Sequence, residues 1–265
     1  MAILKRIKGR ASRTARNLSG RVVDVFHDRA IDPKIARFRA SQHFQSMPSL
    51  RVLVVGVQSN RSPQSLGEIY ARMQSERHRI TFDSKGVDNL GKLDNTNVLL
   101  ARHDLSEFDW VVMTDDDVEL PDQFMDTFLT LAEYAELKIC GPAQRAYSYW
   151  GWDIMRRRKG ALVRETNFTE VGPLVAFRRE VFDIVFPFPS LKYGWGLDPV
   201  WPVLAEKKGW KTGVVDGTAL RHTKPIGATY DFREAAREAE EYMNRFGIVT
   251  GVHVLHTYRT FYEAG

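Results

Sequence analysis

From residue 50 onward the chain alternates between short apolar runs and amphipathic stretches. Leu50–Val57 (L-R-V-L-V-V-G-V) reads as a buried strand, Ser65–Arg77 as a helix, Arg79–Phe82 as a short strand and Asp94–Arg102 as a helix. Asp109–Thr114 (D-W-V-V-M-T) is a second buried strand, and Pro121 opens a helix that reaches Tyr134. Leu137–Cys140 and Gly172–Phe177 are strand-like, Pro199–Lys208 helical, Lys211–Val215 a strand and Phe232–Phe246 a charged helix. Residues 143–170 are less regular and rich in aromatics and Arg. Strands alternating with helices predict a single α/β domain, with a mostly parallel mixed sheet covered on both faces. No internal repeat or low-complexity tract interrupts it.

The first 49 residues follow another pattern. Leu4, Ile7, Ala11, Ala15, Leu18, Val22 and Val25 fall three or four apart and mark one face of a helix, while basic residues fill its other faces. Residues 1–49 hold 11 Lys or Arg and three Asp, so they carry +8; residues 50–265 hold 27 basic and 30 acidic groups. The net charge of +5 therefore belongs to the N-terminal segment, which argues against nucleic acid as a partner of the main domain. We expect a basic helical extension over 1–49 and a domain over 50–265. Residues 1–28 are expected to be dispensable for folding and to lie on an anionic membrane surface.

Composition adds bounds. A hydrophobic fraction of 43% suffices for a substantial core. A single cysteine, Cys140, excludes an internal disulfide and suits a reducing compartment. No apolar run approaches the roughly 18–20 residues of a membrane span, and no apolar h-region follows the basic start. The expected location is cytoplasmic, peripheral on the inner face of a membrane.

The candidate chemistry centres on V-V-M-T-D-D-D-V, which places Asp115, Asp116 and Asp117 at the C-terminal end of an apolar strand. In open α/β sheets ligands bind at that end. Adjacent carboxylates repel unless a cation or hydrogen bonds compensate, and hard oxygen ligands suit Mg²⁺ or Mn²⁺, which bridge phosphate oxygens. Alternation points Asp115 and Asp117 to the same side. In G-W-G-L-D, two glycines flank Trp195, a platform for a sugar face, and Asp198 is either a base or a helix cap. His222 follows a strand in V-V-D-G-T-A-L-R-H-T-K-P and can complete a metal site. In G-K-L-D-N-T-N, Lys92 suits a diphosphate and Asn95 a ribose or sugar hydroxyl. Tyr147, Tyr149, Trp150 and Trp152, interleaved with Gly151, pack in a core or line an acceptor groove. Phosphatases of the haloacid-dehalogenase type also place D-x-D after a buried strand, but carry Thr or Val where this chain has Glu119.

The ordered set of an N-terminal strand, G-K-x-x-N-x-N, D-W-V-V-M-T-D-D-D-V-E-L-P, E-V-G-P at Glu170–Pro173, W-G-L-D and V-V-D-x-x-x-x-R-H resembles GT-A-fold glycosyltransferases. The resemblance is to a glycosyltransferase family 2-like group and to plant proteins of unassigned function that share the W-G-L-D and V-D segments. It covers about residues 50–230. It implies a nucleotide-sugar donor, UDP-sugar favoured, a carbohydrate or glycolipid acceptor, and Mn²⁺ or Mg²⁺ as cofactor. It implies that Asp115 and Asp116 face the donor and that Asp117, with Asp115 and His222, holds the metal. Asp83 would sit near the base, with Lys92 and Asn95 along the donor. Asp198 would deprotonate the acceptor hydroxyl, giving inversion, with Trp195, Glu170 and Trp150 on the acceptor side. Inverting relatives often carry E-D where this chain has Leu197-Asp198. A nucleotidyltransferase, the rival enzyme, usually has a glycine- and basic-rich loop after the first strand; here the loop is Gln58-Ser59-Asn60-Arg61-Ser62. A non-catalytic carbohydrate-binding or membrane-scaffold protein is the alternative outside enzymes.

Overall fold

The computed structural model describes residues 13–60, 65–225, 231–249 and 255–263, with side chains from residue 19. The expected apolar positions Leu4, Ile7 and Ala11, and Arg61 and Ser62 of the first loop, lie outside them.

Two helices, α1 (Arg13–Ala40) and α2 (Gln42–Ser46), precede β1 (Arg51–Gln58). There follow α3 (Leu66–Arg72), β2 (Arg79–Gly86), α4 (Lys92–Leu100), β3 (Trp110–Thr114), β4 (Val118–Glu119), α5 (Phe124–Tyr134) and β5 (Leu137–Gln144). The C-terminal half holds β6 (Val163–Thr166), β7 (Leu174–Arg178), α6 (Phe182–Val185), α7 (Leu197–Glu206), β8 (Lys211–His222), α8 (Phe232–Asn244) and β9 (Thr257–Phe261).

The described strands form a mixed sheet in the order β2-β1-β3-β7-β5-β8-β6-β9, with β4 on β8. β1 pairs in parallel with β2 and β3, and β5 with β8. β7 enters antiparallel between β3 and β5, and the β6 and β9 edge is also antiparallel. Strand alternation divides the core. Val52 and Val54 face one cluster with α1, α3 and α5; Leu53 and Val55 face the other with α4, α6, α7 and α8. Both faces are covered, so the strands read as continuous apolar runs. The helix expected over Ser65–Arg77 is shorter. Ser65 and Glu68 form a capping box at its start, but Ser75 beyond its end binds the N–H groups of Arg77 and His78 in a turn.

β8 is much longer than expected and leaves its partner midway. Pro142 is opposite Val215, whereas Gln144 is opposite Leu220, so Asp216–Ala219 make a detour before the strand rejoins β5 and meets β4. Gly217 donates to the Leu162 carbonyl within the detour, and a Cβ there would come 2.7 Å from Ile35.

The expected boundary at residue 49 does not separate α1 from the core. Ile31, Ile35, Phe38 and Phe44 are buried in the first cluster. Asp24, on the supposed extension, is buried and accepts from the N–H groups of Ala146 and Tyr147 at 2.9 and 2.8 Å. Asp28 binds Arg157 at 2.7 Å and Arg145 at 2.6 Å. Residues 19–28 are therefore part of the folded body. Of the expected stripe, the side chains of Val22 and Val25 are described, and both face the other way, exposed. The periodicity was that of a helix, but long-range ionic partners fix which side is buried.

Candidate active site

β3 delivers five buried residues and ends at the acid cluster. Asp115 donates its N–H to the Pro173 carbonyl at 2.8 Å, which ties the cluster to the Glu170–Pro173 segment. β4 then pairs with the end of β8, placing Val118 opposite His222 and Glu119 opposite Arg221. Thr223 extends the ladder, its N–H and hydroxyl both donating to the Asp117 carbonyl, at 2.9 and 3.0 Å. This short ribbon brings His222 beside the aspartates.

One ligand atom from each of Asp115, Asp117 and His222 lies within 4.8 Å of the other two. The His222 Nε2 is 3.2 Å from the Asp117 carboxylate, and its Nδ1 is 3.2 Å from the Tyr149 carbonyl. Burial disfavours the charge on His222, but Asp117, Asp115 and the Tyr149 carbonyl together raise the imidazole above its ordinary value. Burial likewise opposes ionisation of Asp117, yet His222, Lys224 and Lys92 bring it below the usual carboxylate range. Lys92, the first residue of α4, forms an ion pair with Asp115.

Asp116 stands apart from that triad. Its carboxylate accepts from the Ser59 N–H at 2.5 Å and the Gln58 amide at 3.0 Å, clamping the end of β1 to the cluster. Lys224 Nζ is 3.9 Å from its other oxygen. Lys224 lies two places past His222 in the same segment, and that spacing is the signal in the sequence for a basic group beside the aspartates. Gly172 was also missed. A Cβ there would come 3.1 Å from the Asp115 carboxylate and 3.4 Å from the Lys92 ammonium, so glycine lets the backbone pass close to that pair.

Asp198 is the second residue of α7 and is buried. It does not act as the cap of its helix: Gly196 holds that position without a side-chain bond, and Asp198 accepts from the Val171 N–H of the neighbouring segment. Burial pushes its carboxyl up to about 7, against the opposing pull of the Val171 N–H and the Lys92 charge. Gly194 and Gly196, flanking Trp195, both have positive φ, at 71° and 94°. A Cβ on Gly196 would also come 3.0 Å from the Ala239 carbonyl, so the turn that delivers Asp198 depends on glycine twice over.

Other predicted residues sit elsewhere or are already engaged. Asn95 is fully buried; its amide oxygen accepts from Lys85 and its nitrogen donates to the Leu90 carbonyl, so it ties down the loop before Lys92 rather than facing open space. Asp83 is not brought to the triad. Its carboxylate binds Arg102 and His103, both 3.0 Å away, just past the end of the helix that Lys92 begins. Glu170 is buried and accepts from Gln144 at 2.7 Å; Gln144 in turn accepts from Ser148, whose hydroxyl takes the His222 N–H. Trp195 is half-buried against Phe232 and the second core cluster. Trp150 carries the Arg156 guanidinium 4.8 Å above its ring. Cys140 is buried and free.

No family model and no curated protein matches the chain. Among solved structures it is similar to the catalytic domain of Drosophila β1,4-galactosyltransferase 7 in complex with xylobiose, at 16% identity and a TM-score of 0.47, over 71% of this chain and 79% of that one. It is similar to GalNAc-T7 with UDP, GalNAc and Mn²⁺, at 11% identity and a TM-score of 0.45, over 67% of this chain and 44% of that one. A197 from STIV is similar at 15% identity and a TM-score of 0.41, over 65% and 85% of the two chains.

Proposed function

We propose that this chain transfers a sugar from a nucleotide-sugar donor, UDP-sugar favoured, to an acceptor hydroxyl on a carbohydrate or glycolipid. The observation that carries the reading is the convergence of Asp115, Asp117 and His222 at the end of β3, with Lys92 and Lys224 beside the aspartates. Two carboxylates and one imidazole are a donor set suited to a divalent cation, Mn²⁺ more than the oxygen-preferring Mg²⁺. A cation held there would neutralise charge on the departing nucleoside diphosphate.

The chain's own groups divide the remaining work. Lys92 and Lys224 offer ammonium groups to the diphosphate oxygens, Lys92 exchanging its present Asp115 partner for them. Asp116 positions the end of β1 through Ser59 and Gln58 rather than reaching the donor itself. Asp198 accepts the proton of the attacking hydroxyl, a role its raised pKa suits near neutral pH, and direct attack assisted by such a base gives inversion. Asp83 serves the base side of the donor, and Trp195, Glu170 and Trp150 the acceptor side.

A donor panel with Mn²⁺ tests this, with and without acceptor sugars. The expected result is Mn²⁺-dependent release of nucleoside diphosphate, increased by the right acceptor. Pyrophosphate release would replace the reading with nucleotidyl transfer. Metal-dependent binding of the donor with no turnover against any acceptor would make the chain a binding protein.

A further inference from the structure

Helix α1 has two unlike sides. At about 100° per residue, Gly20, Asp24, Ile31, Ile35 and Phe38 fall on one side, and all are buried against the domain. A Cβ on Gly20 would come 3.0 Å from the backbone of Ala146 and Tyr147, so the helix lies close there. On the outward side, Val22, Val23, Val25 and Phe26 are 59, 41, 48 and 58% exposed. Arg29, Pro33, Ala36 and Arg37 continue that side and are exposed as well. A valine–phenylalanine patch of this kind, set in water and followed by arginines, is not what core packing asks for.

We propose that this outward side of α1 docks the protein on an anionic bilayer, with Val22, Val25 and Phe26 entering the headgroup boundary and Arg29 and Arg37 meeting lipid phosphates. Charge selects the occupant. Residues 1–23 hold seven Lys or Arg and no Asp or Glu, and of the three acids on α1 Asp32 alone is exposed. A second copy of the chain would bring two such basic segments together, whereas an anionic surface attracts both. Among the described residues no helix is long and apolar enough to cross a membrane, so the contact is interfacial. The inference stands independently of the catalytic reading.

The test is co-sedimentation of the full-length protein with vesicles of phosphatidylcholine, alone or mixed with phosphatidylserine. Wild type should bind the mixed vesicles and bind phosphatidylcholine weakly. Val22→Gln/Phe26→Gln should lose roughly tenfold or more in affinity for the mixed vesicles, with an unchanged melting temperature. Arg29→Gln/Arg37→Gln should weaken binding at low salt and matter less at high salt. A Val22→Gln/Phe26→Gln protein that binds as wild type does would overturn the proposal. So would a wild-type dimer that this variant dissolves, since the patch would then belong to a second copy. A nitroxide on Val22→Cys gives a second readout, Cys140 being buried. On mixed vesicles it should become accessible to oxygen and shielded from a nickel chelate, and unchanged accessibility would also overturn the proposal.

Discussion

Two of the places where this molecule holds buried or half-buried charge handle it in opposite ways. At the first, Arg164 Nε meets the Asp216 carboxylate at 2.7 Å, and the rest of its guanidinium donates to the Ile154 and Arg156 carbonyls at 2.7 and 3.0 Å. The second oxygen of Asp216 takes the Arg158 N–H at 2.6 Å. Each charge is consumed by protein partners in a buried setting. At the second, Asp115, Asp116 and Asp117 crowd together at the end of β3, and their lysine partners are a third exposed. The first arrangement leaves a ligand nothing to bind; the second keeps acceptors and ammonium groups within reach of one. Charge that a fold needs for itself is closed off, whereas charge held for a ligand is kept in excess of one sign and partly open.

That contrast can be broken at four points. Asp117→Asn should abolish metal-dependent nucleoside-diphosphate binding and lower the melting temperature slightly at neutral pH, because His222, Lys224 and Lys92 hold the ionised carboxylate in place. Calorimetry in Mn²⁺ with an unaltered affinity would rule out the metal assignment.

Asp198→Asn should retain donor binding but lower turnover by roughly 10²–10⁴, the range for loss of a general base. In wild type, turnover should rise with pH through about 7, where Asp198 ionises. Its stability effect has a definite sign. A carboxyl raised from 3.8 to about 7 stabilises the fold fully below its ordinary value, and that contribution is lost as pH climbs through about 7. Wild type should therefore melt lower at pH 8 than at pH 5, and Asp198→Asn should flatten the difference. An active variant with a lowered melting temperature would discard the base.

Asp216→Ala should cost about 3–5 kcal/mol by urea unfolding, since it leaves the Arg164 guanidinium buried without its carboxylate. Folded molecules should still bind donor; a cost below about 1 kcal/mol would mean that the pair is no anchor. Gly172→Ala should have the smallest effect. The added methyl presses on Asp115 and Lys92, and donor affinity should fall roughly tenfold, about 1.4 kcal/mol, at the low end of the cost of overpacking. Unchanged titration of the alanine variant would show that the approach is looser than its geometry suggests.

Much of this was legible in the sequence where one strong local signal acted alone. The apolar runs of β1 and β3 lie within a residue of their expected limits, because strands buried on both faces carry no competing pattern. Three acids at a strand end, and paired glycines around Trp195, likewise carry their meaning locally. What escaped depends on distant partners. Asp24 is buried because Ala146, Tyr147 and Arg157 surround it, more than 120 positions away. Asn95 resembles a sugar-binding amide until Lys85 and Leu90 are seen to occupy it. β4 has two residues and β9 pairs with β6 from almost a hundred positions downstream, so neither shows a readable period of its own.

The detour in β8 adds a further consequence. His222 is delivered to Asp117 not by a loop free to vary but by a counted length of chain between Val215 and Leu220, with Asp216 bolted to Arg164 at its start. Such a stretch acts as a gauge. Because neighbouring residues of a strand face opposite ways, adding or removing one residue within Asp216–Ala219 would present Arg221 or Thr223 to the aspartates in place of the imidazole. A point substitution in the detour, at Asp216 or Gly217, costs stability but keeps the count; a change in its length moves the imidazole itself.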